Sequence, residues 1–187
     1  MENLLYILGA AVCHQLPDRS FFIAGHQLPI CMRCSGTYLG AVLTFFFLWV
    51  TGGLKRGGFP KTSIFFTLIA FPFVMGIDVV TVNLGFRPPS PEIKLLTGTF
   101  AGIFITSFLV PAFHTGFSGK YTEKPIYNNF RFVLLVIPVF AGAMLLTHLD
   151  YEIVFYITAI LENISILVIF TILNLFIFLT VFEKRFP

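Results

Sequence analysis

Five long apolar runs, each bounded by glycine, proline or charged residues, constrain this chain more than any other feature. They cover residues 34–53, 64–84, 95–113, 132–149 and 153–182. A helix that crosses the hydrocarbon of a bilayer takes about 20 residues. Backbone groups in lipid have no partner but their own segment, so runs of this kind must be helical. The breaks carry turn chemistry: Gly52-Gly53 and Gly57-Gly58-Phe59-Pro60, then Arg87-Pro88-Pro89-Ser90-Pro91, then Gly116-Phe117-Ser118-Gly119. Composition agrees. Charged residues make up 11% of the chain, against about 25% in a soluble domain.

The expected fold is therefore all-α: a polytopic helical membrane bundle of about five transmembrane helices. Residues 4–12 are apolar for only nine positions, too few to span, and lack the basic leader and small-residue cleavage site of a signal peptide. They predict a short interfacial or re-entrant helix. One membrane domain is expected over residues 1–187, with 1–33 as an N-terminal segment and 34–187 as the bundle. Nothing has the basic, aromatic-interleaved character of a nucleic-acid surface, so the expected surroundings are the lipid bilayer. A protein partner or a homo-oligomer is left open.

Loop charge sets the expected orientation. Lys55, Arg56, Lys61, Lys120, Lys124, Arg131, Lys184 and Arg185 fall on one side, while Arg19, Arg33, Arg87 and Lys94 fall on the other. The side richer in Lys and Arg is the cytoplasmic one. That reading predicts a multi-pass protein of the cell membrane, with a cytoplasmic C-terminus and an extracytoplasmic N-terminal segment.

The segment before the first run holds Cys13-His14-Gln15 and Cys31-Met32-Arg33-Cys34-Ser35-Gly36. Two thiolates two residues apart can share one ion while the intervening amides turn toward the sulfurs. Tetrahedral Zn²⁺ takes four such ligands; Cys13 supplies a third, and His14 or His26 a fourth. The expected site is Cys13, His14, Cys31 and Cys34 around Zn²⁺. A second reading is redox: a Cys-x-x-Cys at a helix start, with Arg33 between the thiols, has the low thiol pKa of a disulfide-exchange pair. That reading would make the chain a membrane thiol–disulfide oxidoreductase with quinone as a cofactor. The third reading is structural: buried cysteines, or one disulfide and a free thiol. Ser35, rather than His, after Cys34 argues against covalent haem attachment.

The pattern Cys13-His14-Gln15, Arg19-Ser20-Phe21, Gly25-x-Gln27-x-Pro29-x-Cys31-x-Arg33-Cys34-x-Gly36-x-Tyr38-x-Gly40 resembles that of a family of small prokaryotic membrane proteins classed as a domain of unknown function. The likeness continues through Asp78, Gly85-x-Arg87 and Thr97-Gly98-x-x-x-Gly102, and so covers about the first 105 residues. Val79 stands where the family often has Gly, and Lys94 where it often has Arg. The resemblance implies a multi-helix membrane protein in which the cysteine motif matters; it implies no activity.

Polar residues within the runs are the remaining candidates. Asp78 lies six residues from the end of its run, roughly 9 Å deep at about 1.5 Å per residue. It is expected to pair with Arg87 or Lys94 in a polar pocket under the cysteine segment, or in a purely structural ion pair. Glu162 falls near the middle of the fifth run, where a carboxyl suggests proton or cation handling. Asn163 and Asn174 share a helix face, which predicts an inward stripe bonding across helices. Gly36-x-x-x-Gly40 and Gly98-x-x-x-Gly102 predict close helix approach. His148 and Asp150 are expected to be interfacial. No phosphate-binding loop, His-Glu-x-x-His or Gly-x-Ser-x-Gly motif is present. The functional expectation is a metal-capped pocket for a small polar or lipid-headgroup ligand; oxidoreductase and zinc-bearing scaffold are the alternatives.

Overall fold

The structure, a computed structural model, describes residues 2–118 and 124–182. Among the described residues there are six α-helices: α1 (Glu2–Ala10), α2 (Met32–Val50), α3 (Thr62–Asn83), α4 (Pro91–Ser118), α5 (Asn129–His148) and α6 (Glu152–Phe182). All but α1 are long and apolar enough to cross a membrane. Helix starts follow local chemistry. α4 begins four residues earlier than the apolar run because Pro91 occupies its first turn, where the missing N–H costs nothing. α5 begins at the Asn128 cap, whose side chain accepts from the Arg131 amide. Pro72, Pro111 and Pro138 all lie inside helices, as membrane helices allow.

One element lies outside the all-helical expectation. Between α1 and α2 the chain forms an antiparallel hairpin of β1 (Ser20–Ile23) and β2 (His26–Cys31). Its two-residue turn holds Ala24 and Gly25 at φ 51° and 79°. That pair of positive φ values matches the right-handed twist of the strands. The turn is fastened to the α5–α6 connection, where the Asp150 carboxylate accepts from the Ala24 amide.

The centre of the bundle is the α2–α4 interface. An added Cβ at Gly36 or Gly98 would run into the Leu95 or Arg33 carbonyl, and one at Gly40 or Gly102 into Thr99 or Thr37. The two small-residue motifs therefore face each other and let the backbones touch, as their spacing predicts. Thr106 adds a hydrogen bond across this interface, its Oγ1 donating to the Ala41 carbonyl at 3.1 Å.

Two apolar clusters cap the interface. At the hairpin end Phe21, Ile23 and Leu28 pack with Leu95, Val154 and Phe155. At the far end Leu48, Leu68, Ile103, Tyr127 and Leu135 pack together. α3 rests on α4 and presents Phe66, Phe73, Ile77 and Val80 outward, each more than half exposed. Such a surface is costly in water and suited to lipid tails.

α6 corrects one expectation. Asn163 is buried but Asn174 is exposed, and each amide nitrogen donates at 2.8 Å to a carbonyl one turn back on α6 itself. No described residue of α6 after Ile166 is buried. Beyond Ile166 the helix lines a cavity with α2 and α4 rather than packing on them, and the exposed Asn174 bonds within its own helix.

Candidate metal centre and the charged clamp beside it

Three strands of logic bring the cysteines together. Cys13 follows the end of α1, where its amide donates to the Gly9 carbonyl at 3.0 Å. Cys31 closes β2 and forms the N-cap of α2, and Cys34 lies in the first turn of that helix. Gln15 locks the two parts: its Nε2 donates to the Tyr6 carbonyl of α1 at 2.7 Å and the Pro29 carbonyl of β2 at 2.8 Å. Gln27 answers from β2, donating to the Gln15 carbonyl at 2.8 Å. The Gln residues of the motif are thus structural staples.

The three sulfurs lie within 4.8 Å of one another, and no Cys–Cys bond links them. The Cys31 amide donates to the Cys13 sulfur at 3.2 Å. Cys34, and to a lesser degree Cys13 and the Arg33 amide, favour the charged form of the Cys31 thiol. With the Cys34 hydrogen bond as the largest cause, its pKa is pushed down to about 5 against the opposing effect of burial. Free amides at a helix start favour negative charge in this way.

The donor set fits a soft or borderline ion. Zinc–sulfur bonds of about 2.3 Å at a tetrahedral angle put two sulfurs about 3.8 Å apart, inside the spacing found here. The thiols open into a cavity of about 310 Å³ lined also by His14, Gln15 and Arg19. His14 is exposed on that rim and is not within ligand distance of the sulfurs. His26 is turned away, its ring stacked on Phe155 at 5.0 Å. Of the two histidines considered as fourth ligand, only His14 borders the site.

Asp78 lies beside this knuckle rather than alone in lipid. It is 4% exposed and is held by two guanidiniums, Arg87 and Arg33. Thr97 Oγ1 of α4 stands 3.4 Å from its Oδ2. Arg87 was legible as a partner from its place just past α3. Arg33 was not, although its position between Cys31 and Cys34 is the feature that makes the clamp and the thiols one construction. Lys94 makes no ion pair among the described residues. Arg33, Arg19, Cys31 and Asp18 are the charged groups that act on it.

Glu162 stands apart from this clamp. The first turns of α6 pack on the hairpin through Val154, Phe155 and Ala159, so Glu162 comes level with the start of α2. Its neighbour there is Ser35, the residue after Cys34. His148 and Asp150 do not join the thiols. His148 lies against Phe21, ring centroids 5.9 Å apart, and Asp150 holds the hairpin turn.

Fold and site together define a helical integral membrane protein whose N-terminal hairpin gathers three unbonded cysteines at one end of the bundle. The chain belongs to the family described as "Predicted membrane protein (DUF2085)", whose model matches residues 13–108, about half of the chain. It is 32% identical over 109 residues to the uncharacterised protein MJ1492 of Methanocaldococcus jannaschii, a match that covers 58% of this chain and 68% of that relative. It is 33% identical over 92 residues to an uncharacterised protein of Methanothermobacter thermautotrophicus, covering 49% of this chain and 78% of the other. No solved structure matches it. The matched region holds the thiols, the clamp and the glycine interface, and ends within α4.

Proposed function

We propose that this protein binds one zinc ion at the hairpin end through Cys13, Cys31 and Cys34, with His14 as the fourth ligand. The observation that carries this reading is the convergence of three unbonded sulfurs, supported by backbone amides, at the mouth of a polar cavity. Bare thiolates packed so closely repel; an ion that they share removes the repulsion. The metal then joins α1, the hairpin and α2, and Arg33 transmits that order to Asp78 on α3. The cavity above the thiols and the Arg33–Asp78–Arg87 clamp form a polar region for a small polar or lipid-headgroup ligand. The balance of Lys and Arg among the loops supports an extracytoplasmic hairpin end and a cytoplasmic C-terminus.

One observation favours a second reading. Cys31 and Cys34 are in hydrogen-bond contact, and Cys31 has the lowered pKa of an attacking thiol. In that case the pair exchanges disulfides, Cys13 resolves the mixed disulfide and a membrane quinone accepts the electrons.

One experiment separates them: metal content by elemental mass spectrometry with a free-thiol count, on protein purified without chelator or reductant. One zinc per chain, with thiols released only on denaturation in chelator, is the expected result. No metal and a single free thiol would overturn it and move the redox reading forward.

A further inference from the structure

Nine buried side-chain polar atoms among the described residues have no hydrogen-bond partner; seven of them lie on α2 and α6, and six of those seven are oxygens. The oxygens are Ser35 Oγ, Thr44 Oγ1, both carboxyl oxygens of Glu162, Asn163 Oδ1 and Ser165 Oγ. Glu162 is 0% exposed and Ser165 3%. Native interiors leave very few such groups unpaired; those of Glu162 and Ser35, which face each other between the two helices, call for a ligand.

The chemistry of the six narrows its class. All are oxygens, and three of them (the carboxyl pair and the Asn163 oxygen) can only accept unless the carboxyl is protonated. Asn163 has already committed its nitrogen to the Ala159 carbonyl. The seam therefore lacks a positive partner. A buried carboxylate must be neutralised, because a bare charge in an apolar interior costs many kcal/mol. Glu162 makes no ion pair among the described residues. Among the groups there, Ser35 and Cys31 act on it. The other titratable groups on the elements packed nearby are Lys94 and His114 of α4, Arg131 and His148 of α5 and His26 of β2. One carboxylate needs one positive charge; a divalent ion would leave the seam cationic. Hard oxygen donors suit a proton or an alkali cation rather than a soft metal.

Two cavities lie near the pair, lined by its neighbours Cys34 and Ser165 rather than by Ser35 or Glu162 themselves. Ser35 faces Glu162 and adjoins Cys34, which lines the cavity of about 310 Å³ at the hairpin end. Ser165, one turn beyond Glu162, lines a second cavity of about 200 Å³ between α2, α4 and α6.

We propose that Glu162 is the anionic centre of an internal site for one monovalent cation, a proton or Na⁺, in the α2–α6 seam beside Ser35. This inference does not require a metal at the thiols, although the charge on Cys31 acts on Glu162.

The test uses the full chain in detergent and dicyclohexylcarbodiimide, an apolar reagent that modifies protonated carboxyls in apolar surroundings, with peptide mapping by mass spectrometry. In mildly acidic, sodium-free choline buffer, one adduct per chain is expected at Glu162 and none in Glu162→Gln. Asp78, held by Arg33 and Arg87, is expected to stay unlabelled. Labelling that falls with rising pH and ignores NaCl assigns the proton; labelling suppressed several-fold by NaCl but not by choline chloride assigns Na⁺. The thermal midpoint supplies a second readout, because a ligand of the folded chain raises it by mass action. Wild type is expected to respond to acid or Na⁺, and Glu162→Gln not to. An unlabelled Glu162, together with a Glu162→Gln midpoint that responds as wild type does, would overturn the proposal.

Discussion

Arg33, set between two of the three cysteines, donates through its guanidinium to the buried carboxylate of Asp78 on α3. Arg87 closes on the same carboxylate from the end of that helix. The link joins the thiol knuckle to a helix whose remaining packing is almost entirely on α4, so the clamp spans parts of the bundle that do not otherwise touch closely.

Removing the carboxylate leaves two guanidiniums facing each other in a site with little water. Asp78→Ala is expected to lower stability by about 3–5 kcal/mol, the cost of breaking a buried ion pair by deleting one partner. Asp78→Asn keeps the shape but not the charge and is expected to fall between wild type and Asp78→Ala. Unfolding in detergent followed by Trp49 fluorescence measures both, and a loss below about 1 kcal/mol for Asp78→Ala would reduce the clamp to the worth of a surface pair.

The α2–α4 contact depends on missing side chains. A methyl group at Gly98 meets the Arg33 carbonyl, a backbone atom that cannot swing away. Gly98→Ala is expected to cost about 1–3 kcal/mol, the usual range for overpacking. Gly76 of α3 has nothing within 4 Å of an added Cβ. Gly76→Ala is therefore expected to be neutral or to stabilise by about 0.4–1 kcal/mol. Thermal midpoints of the two variants in one detergent test the contrast.

Metal retention ranks the ligands. Cys13→Ser, Cys31→Ser and Cys34→Ser are each expected to abolish stoichiometric zinc. His14→Ala is expected to keep it but to surrender it faster to a colorimetric chelator, because in the proposed site His14 would close on the ion from an exposed rim. Equal loss rates for His14→Ala and wild type would assign the fourth position to water or to another ligand.

The hairpin turn carries a correctable strain. Ala24 occupies a left-handed conformation that Asn tolerates far better. Ala24→Asn is expected to raise stability by up to about 1 kcal/mol. Gly25→Val places a β-branched residue at φ 79° and is expected to lower it. Hydrogen exchange of the hairpin amides reads both changes locally.

How far the chain was legible follows from what each feature depends on. The hairpin was missed because its strands are short. The first is only four residues long, with exposed Phe22 between buried Phe21 and Ile23. Its Ala-Gly turn also lacks the Asn-Gly signal. The inward stripe of Asn163 and Asn174 failed because helical periodicity says which residues share a face but not where a neighbour packs against it. Asp78 was recognisable as a residue that needs a partner. Arg33, 45 positions away, was recognisable only as a cation between thiols.

Hydropathy by itself determined the five spanning helices and their order, because lipid offers a backbone no alternative and the requirement acts within each segment alone. The paired small-residue spacings likewise announced a close helix contact. Only the tertiary structure decided which groups meet: the three sulfurs brought within 4.8 Å by the hairpin, Arg33 reaching Asp78, and Glu162 lifted level with Ser35 by the packing of α6 on the hairpin. Those meetings depend on the relative height of separate elements, a quantity fixed by side-chain packing between segments and written in no one of them.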